Sequence, residues 1–174
     1  ERHIPLIIDE VQTGLGRTGT RFAFERAGII PDVLVLSKAV GGGLPLSVVL
    51  YKSELDRWSA GAHAGTFRGN QLAMATGIAT MEFIRDHRVE LHAVAMGGRL
   101  LTHLRRIQSE SSILGDIRGR GLMLGVEIVN PSATPDGRGL YPADAEMARR
   151  IQMHALRRGL IVELGGRNDV VVRF

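Results

Sequence analysis

Short apolar runs recur in the first part of the chain, and their length limits the folds that it can adopt. The runs cover residues 5–9, 33–36 and 47–51. Each is long enough for a buried strand and far short of the roughly 20 residues that a membrane-spanning helix needs. Glycine-rich loops and helical stretches separate the runs, and this alternation is typical of α/β proteins with a mostly parallel sheet. We therefore predict that fold class for the first half.

Helical periodicity dominates the middle of the sequence. Two helices are predicted, over residues 70–87 and from a break near Arg88 to about residue 109. Their apolar stripes are Met74, Ile78, Met81 and Ile84 in the first, and Val94, Leu101, Leu104 and Ile107 in the second. Gly97 and Gly98 interrupt the second stripe. Because a glycine inside a helix costs about 1 kcal/mol relative to alanine, this pair predicts a close packing approach or a bend.

Two shorter helical signals lie between the first and second strands and after the third strand. A helix over residues 21–27 would be stopped by Gly28, since glycine favours the left-handed conformation that ends helices. Ser53 followed three residues later by Asp56 has the spacing of a capped short helix. We expect a short helix at each place.

The pattern changes past Gly115, where short strands surround a single helix. Strands are predicted at residue 117 and over residues 122–128, 160–163 and 170–174, with a helix over residues 143–158 and a loop over residues 130–141. This mixture predicts a smaller α+β unit. The chain would then divide into residues 1–92 and 93–174.

Both ends of the sequence resemble the interior of a longer protein. Residue 1 is Glu, and the first apolar run begins almost at once. The last residues, Val170 to Phe174, are again strand-like, whereas natural termini usually lie exposed. We therefore expect the chain to be truncated at both ends.

Composition excludes several classes of function. The chain lacks cysteine, which rules out disulfides, thiolate nucleophiles and cysteine-ligated zinc, and its six histidines have no ligand spacing. The net charge of +4 would permit a nucleic-acid partner, but the arginines are scattered and not interleaved with aromatic residues. No signal peptide opens the sequence. We predict a cytoplasmic protein with no bound metal and no nucleic-acid or membrane partner.

Lysine is so rare in this chain that each one needs an explanation. Of the 22 basic residues only Lys38 and Lys52 are lysine. Lys38 directly follows the second apolar strand, at the carboxyl end where α/β sheets bind ligands. A lysine amine can lose its proton and attack a carbonyl group, which a guanidinium cannot do. Lys38 is therefore a candidate nucleophile, although an ordinary surface lysine, as expected for Lys52, would fit the same position.

Asp9 occupies the equivalent position at the end of the first strand. Lys38 follows it by 38 − 9 = 29 residues, enough for a strand, a helix and a second strand. Pyridoxal phosphate (PLP) requires both groups, since a lysine binds its aldehyde and a carboxylate keeps its ring nitrogen protonated. Asp9 alone could equally cap a turn. Together the two residues predict a PLP site.

Longer segments around these two residues resemble the class III (ω-amino acid) aminotransferases of PLP fold type I. The segments are residues 7–19, with the sequence IIDEVQTGLGRTG, and residues 31–39, which contain Leu36-Ser37-Lys38-Ala39. The resemblance extends over all 174 residues. It implies that residues 1–92 belong to the large PLP-binding domain, with its mostly parallel sheet. Residues 93–174 would form the linking helix and an incomplete small α+β domain.

The resemblance implies a role for each cofactor-binding residue. Asp9 would bind the ring nitrogen, and Val11 would pack against the ring. Gln12 would lie on the side of the ring's phenolic oxygen. Lys38 would form the covalent bond with the cofactor and carry protons during the reaction. Family members bind the cofactor phosphate, stack an aromatic side chain on the ring and supply a Glu for the substrate-binding Arg from segments upstream of this sequence.

Two more residues gain a role only from the resemblance. Thr66, in the segment Gly65-Thr66-Phe67-Arg68, matches the threonine that reaches the cofactor phosphate of the partner subunit. It implies a homodimer with shared active sites. Arg173 matches an arginine that holds a substrate carboxylate, a task suited to the two-donor fork of guanidinium.

The implied reaction is transfer of an amino group between an amino acid and a 2-oxo acid. Residues 58–71, 114–127 and 158–167 resemble family members that transfer the 4-amino group of L-2,4-diaminobutyrate to 2-oxoglutarate, giving aspartate 4-semialdehyde. Ornithine, 4-aminobutyrate and lysine remain alternative amino donors. An aminomutase, a racemase, and an inactive fragment or binding module are the alternative functions.

Overall fold

The computed structural model describes residues 4–174, so the start of the chain, on which part of the truncation expectation rests, lies outside the described residues. The elements in order are β1 (Ile7–Asp9), β2 (Val33–Leu36), β3 (Val48–Tyr51), α1 (Gln71–His87), α2 (Val89–Glu110), β4 (Leu114–Arg120), β5 (Met123–Ile128), α3 (Ala145–Arg157), β6 (Glu163–Gly165) and β7 (Val171–Arg173). Single 3-10 turns lie at Ala23–Ala27, Lys38–Gly41, Ser53–Leu55 and Arg167–Asp169. The chain forms two compact units that meet in sequence between Ala93 and Val94.

The first unit contains a three-stranded sheet with the order β1-β2-β3. β1 and β2 are parallel, as predicted, with Ile7 opposite Val33 and Asp9 opposite Val35. β3 is antiparallel to β2, so the prediction of a mostly parallel sheet is wrong for this strand. The reason is the connection: residues 37–47 contain one 3-10 turn and no helix, whereas a parallel crossover needs a dozen or more residues and usually a helix.

The helix α1 packs through small residues near its start and through the second half of its predicted stripe, Met81 and Ile84. Asn70 caps its start by accepting hydrogen bonds from the backbone N–H groups of Leu72, at 3.0 Å, and Ala73, at 3.3 Å. The buried positions of α1 are Ala73, Gly77 and Ile84. Of the predicted stripe, Met74 is 47% and Ile78 is 61% exposed. The prediction missed Ala73 and Gly77 because alanine and glycine, which allow close approach, carry little hydrophobic signal.

The second unit contains a four-stranded antiparallel sheet with the order β4-β5-β7-β6. In β5 every second residue is buried, so one face of the strand packs on the core. That core consists of Leu104, Leu124, Val126, Ile128, Ala148, Val162 and Val172. α3 begins where the Asp144 carboxylate accepts the Met147 N–H at 2.9 Å. The sheet packs with α3 and with α2, which contributes Leu104, and this mixture of helices and short strands agrees with the α+β character that the sequence predicts.

Gly97 confirms one of the two alternatives that the sequence left open. A Cβ atom at this position would lie 2.0 Å from the carbonyl oxygen of Gly121. A Cβ at Gly98 would meet open space. Gly97 therefore allows α2 to approach the β4–β5 connection closely, and Gly98 takes no part in this contact.

Three local predictions differ from the structure. The strand expected over residues 160–163 begins only at Glu163, because Leu160 and Ile161 are exposed. Ser53 lies inside its 3-10 turn, and the residue at the cap is Lys52, without a side-chain cap. The helix expected over residues 21–27 is the 3-10 turn Ala23–Ala27, and it ends as predicted at Gly28, whose φ is 61°. None of the helices within residues 4–174 combines the length and apolar character required to cross a lipid bilayer.

Candidate active site

Asp9 and Lys38 lie at the same edge of the first unit's sheet. Asp9 is the last residue of β1 and pairs in register with Val35 of β2. β2 ends at Leu36, and Lys38 follows after one intervening residue. Because parallel strands end at the same edge, the carboxylate and the amine are both placed there, and both residues are exposed. The structure thus brings together the two residues on which the sequence interpretation depends.

The backbone of Lys38 has an uncommon conformation. Its φ is 52°, in the left-handed region that residues other than glycine rarely adopt. Such a conformation costs on the order of 1 kcal/mol and persists where the surroundings enforce it. Here the neighbouring Ser37 hydroxyl donates to the Leu46 carbonyl at 3.1 Å, and Val40 is buried in the core. The strand-to-turn junction therefore holds Lys38 in a fixed position.

The two lysines of the chain have different electrostatic surroundings. Lys52 forms an ion pair with Asp32 at 2.6 Å. The hydrogen bond and charge of Asp32 raise the pKa of Lys52 and hold its amine protonated. Within the described part of the chain no ion pair reaches Lys38. Of the two, Lys38 is the amine that has no carboxylate committed to it.

Asp9 caps a turn, the alternative role considered for it, and still has a carboxylate oxygen available for a ligand. Its Oδ1 accepts the backbone N–H of Val11 at 2.9 Å, which caps the turn after β1. Across residues 4–174 its Oδ2 has no hydrogen-bond donor. This bond orients the carboxylate and leaves one oxygen for a ligand. Val11 is half-buried in the same turn, and Gln12 beside it is exposed.

Glu10 organises the loop behind this site, a role that the sequence interpretation missed. Its side chain is buried, with only 2% of the residue exposed. Its Oε1 accepts the Phe24 N–H at 2.9 Å, and its other carboxylate oxygen accepts the Thr13 hydroxyl. These bonds tie the loop after β1 to the strand end that carries Asp9. One sequence signal could have identified this role of Glu10. Successive side chains of a strand point to opposite faces, so Glu10 is expected to face away from Asp9.

Thr66 lies in the loop between β3 and α1, four residues before the Asn70 cap. It is exposed, and so is the neighbouring Phe67. The start of the loop is ordered by aromatic contacts: the rings of Trp58 and His63 stack with centroids 5.8 Å apart. The role of Thr66 toward a partner subunit stays a prediction.

A cavity of about 1390 Å³ lies beside this loop, in the first unit. Its walls come from β3, the loop and α1, and include Met74 and Ile78, the exposed members of the predicted stripe. Asp9, Lys38 and Thr66 do not line it. The cavity therefore accounts for the exposure of those apolar side chains, and the three predicted cofactor residues are not part of its walls.

Arg173 lies in the second unit, on β7, directly opposite Glu163 of β6. Its Nη2 donates to the Glu163 carboxylate at 2.7 Å. The resemblance places the acidic partner of this arginine upstream of the sequence, so Glu163 is a residue that sequence reasoning missed. Ion pairs directly across two antiparallel strands are favourable, and only knowledge of the strand register could have identified this one.

No group of three or more His, Asp or Glu side chains suited to a metal ion occurs in the described chain. The predicted cofactor residues at the sheet edge supply an amine from Lys38, a carboxylate from Asp9 and an amide from Gln12.

Comparison with known proteins identifies a family and similar sequences. The family model described as "Aminotransferase class-III" matches residues 1–174. A diaminobutyrate–2-oxoglutarate aminotransferase from Rhizobium meliloti (strain 1021) is 56% identical over 98% of the chain and 36% of its own length. The enzyme of the same name from Haemophilus influenzae is 48% identical over 98% of the chain and 37% of its own length.

One solved structure of similar fold is described as containing PLP. The ornithine aminotransferase from Toxoplasma gondii, described with partial occupancy of PLP at its active site, aligns with a TM-score of 0.83 and 29% sequence identity. The alignment covers 98% of this chain and 38% of that one. The chain thus spans a little over a third of the length of each protein that it matches here.

Proposed function

This chain belongs to the class III aminotransferases, and on that premise we propose that it is the part of a PLP-dependent enzyme that carries the reactive lysine and its partner aspartate. The proposal rests on one observation: Asp9 and Lys38 lie at the carboxyl ends of two adjacent parallel strands. A PLP enzyme needs one amine and one carboxylate, and these residues supply them.

The local environment of the site fits the cofactor. The hydrogen bond from the Val11 N–H orients Asp9 through one oxygen, and its other oxygen can accept a hydrogen bond from the protonated ring nitrogen. Lys38 offers an exposed amine for the aldehyde, at a position fixed by the turn after β2. Val11 would pack on the ring and Gln12 would lie near its phenolic oxygen. When bound, PLP supplies a sink for the electrons left behind as a proton leaves the substrate carbon.

Lys38 has two tasks in this proposal, and both require its Nζ as the neutral amine. Its amine would hold the cofactor covalently, and the Nζ, once the substrate had freed it, would take and return a proton. The Asp9 carboxylate would hold the proton on the ring nitrogen. Glu10 holds the loop that carries Val11 and Gln12, and does not take part in proton transfer.

We propose that the substrates are L-2,4-diaminobutyrate and 2-oxoglutarate, with aspartate 4-semialdehyde and glutamate as the products. The support is the 56% and 48% identity to two enzymes named for these substrates. Arg173 would bind a carboxylate of either substrate. Ornithine is the second candidate donor, favoured by the likeness to the Toxoplasma enzyme, and 4-aminobutyrate and lysine are the others.

The organisation of the parent enzyme is part of the same proposal. Residues 1–92 would contribute to a large PLP-binding domain and residues 93–174 to a linking helix and a small domain. Thr66 would reach the cofactor phosphate of the other subunit in a cytoplasmic homodimer. The exposure of the loop that holds Thr66 supports this assignment, because a residue that acts in a partner's site must lie at the surface of its own subunit.

A donor panel with product identification tests the proposal on the full-length parent. Enzyme supplied with PLP is given 2,4-diaminobutyrate, ornithine, 4-aminobutyrate or lysine, with 2-oxoglutarate as acceptor. We expect preference for 2,4-diaminobutyrate, with transfer of its 4-amino group. Preference for another donor would overturn the substrate assignment and leave the PLP chemistry intact. An isomerised amino acid without glutamate formation would indicate an aminomutase or racemase.

A further inference from the structure

Lys38 lies in a short 3-10 turn, Lys38–Gly41, which we call the lysine turn. The left-handed φ of 52° at Lys38 is a conformation that relaxes unless neighbouring groups enforce it. The backbone hydrogen bond at the start of the turn, from the Val40 N–H to the Ser37 carbonyl, is long at 3.3 Å. This local bond is a weak restraint, so the support of the turn must come largely from neighbouring elements.

The start of the lysine turn is tied to the segment that leads into β3. Ser37 immediately precedes the turn, and its hydroxyl donates to the Leu46 carbonyl at 3.1 Å. The same hydroxyl lies 2.9 Å from the Ser47 hydroxyl. These bonds fix the residue before Lys38 and leave the other end of the turn to a different element.

The end of the lysine turn is tied to α1 through a single side chain. The Thr76 hydroxyl donates to the Gly41 carbonyl at 2.7 Å. It also lies 3.1 Å from the carbonyls of Leu72 and Ala73 in its own helix. Because a hydroxyl has one proton, the shortest of the three distances assigns that proton to Gly41. The helix therefore holds the buried end of the turn.

Two glycines allow the backbone of α1 to lie directly against the backbone of the turn. A Cβ atom at Gly77 would lie 2.9 Å from the Val40 carbonyl oxygen. A Cβ atom at Gly42, which ends the turn with a φ of 59°, would lie 2.9 Å from the Thr76 carbonyl oxygen. Larger residues would force the two segments apart. This close packing keeps the Thr76 hydroxyl within reach of Gly41.

We propose that Thr76 is a positioning residue for Lys38. By holding the Gly41 carbonyl, its hydroxyl keeps the lysine turn in the conformation that presents Nζ to the cofactor. The inference rests on the proposed function and goes beyond it by assigning the support of the reactive lysine to α1. Without the hydroxyl the turn would sample other conformations, so the amine would meet the aldehyde less often.

The test compares Thr76→Ser with Thr76→Ala in the full-length parent. The two variants differ only in the hydroxyl oxygen, which serine keeps and alanine lacks. If Thr76 served only the stability of α1, Thr76→Ala would be at least as good as Thr76→Ser, because alanine is the better helix former. A positioning role predicts the opposite order, with Thr76→Ser close to wild type.

The first readout is the rate at which added PLP becomes attached to Lys38, trapped by borohydride and located by peptide mapping. We expect this rate to fall about twofold to tenfold in Thr76→Ala, which is the effect of losing one hydrogen bond. The second readout needs no cofactor: hydrogen exchange of the Val40 and Gly42 amides should be faster by a similar factor.

Thr102 provides a matched control pair in α2. Its hydroxyl also donates to a carbonyl four residues earlier in its own helix, that of Gly98, at 3.0 Å. Thr102→Ser and Thr102→Ala should leave PLP attachment and the exchange of the turn amides unchanged. A similar effect of both control variants would show that any helix threonine matters in this way, and would overturn the assignment.

The proposal requires both changes in Thr76→Ala, and either change alone would overturn it. Equal changes in Thr76→Ser and Thr76→Ala would overturn it as well, because the hydroxyl would then not be the cause. If borohydride attaches no PLP to Lys38 of the wild type, the proposed function fails. The exchange comparison then still decides whether Thr76 holds the lysine turn.

Discussion

The contrast between the two lysines is the clearest result at the scale of single residues. Lys52 is held protonated by Asp32, whereas Lys38 lies at a strand end in a left-handed conformation. The rarity of lysine in the sequence drew attention to Lys38, and its position directly after β2 made it a candidate nucleophile. The backbone conformation was not predictable, because no local pattern signals a positive φ at a residue other than glycine.

Replacement of Lys38 by alanine in the full-length parent should abolish covalent attachment of PLP. Turnover should fall by roughly 10²-fold to 10⁴-fold, the usual contribution of proton transfer by a positioned side chain. The measurement is borohydride reduction followed by peptide mapping, together with steady-state kinetics. Lys52→Ala is the matched control and should retain the cofactor. Fixation of the cofactor to the Lys38→Ala protein would show that another amine is the nucleophile.

Among the structural elements, the three strands of the first unit are connected through Asp32. One carboxylate oxygen accepts the Leu6 N–H ahead of β1 at 2.7 Å, and the other pairs with Lys52 just after β3. Asp32 itself precedes β2. The Leu6 bond and the Lys52 partner lower the pKa of Asp32. One side chain thus links the same end of all three strands.

Asp32→Asn should destabilise the first unit near neutral pH, and the difference from wild type should vanish in acid. The lowered pKa of Asp32 means that its stabilising effect is complete above the unfolded value of 3.8 and is lost as pH falls through the folded value below it. Hydrogen exchange of the β1–β3 amides in the full-length protein, followed against pH, measures this effect. Asp86→Asn is the control, since Asp86 pairs only with its neighbour Arg85. A wild-type advantage that persists at pH 2 would contradict the electrostatic explanation.

For the whole molecule, the order of strands and helices was accessible from sequence, but several pairings and faces were not. The patterns at residues 33–36 and 70–87 predicted β2 and α1 almost to the residue, because periodicity and caps are local signals. The antiparallel direction of β3 and the Arg173–Glu163 pair depend on strand register, which is a long-range property. Glu10 was missed for a similar reason, since its partner Phe24 lies across the loop.

The proposed sharing of active sites between subunits makes a prediction about mixed dimers. Thr66→Ala should weaken PLP binding, and Lys38→Ala should lower turnover by the roughly 10²-fold to 10⁴-fold expected above. A dimer containing one subunit of each kind would have one site with both native residues. Random mixing in equal amounts should therefore restore roughly a quarter of the wild-type sites, measured as activity after co-refolding. Absence of recovery would indicate that each site is built from one chain.

The ion pair of Lys52 also bears on how the protein can be chemically modified. Amine-directed reagents attack only the unprotonated form, and the raised pKa keeps Lys52 protonated at mildly alkaline pH. A dye or crosslinker applied to the cofactor-free protein should therefore modify Lys38 in preference to Lys52. Arginine supplies nearly all the positive charge of this sequence, so the rare reactive amine becomes a natural attachment point for a spectroscopic probe.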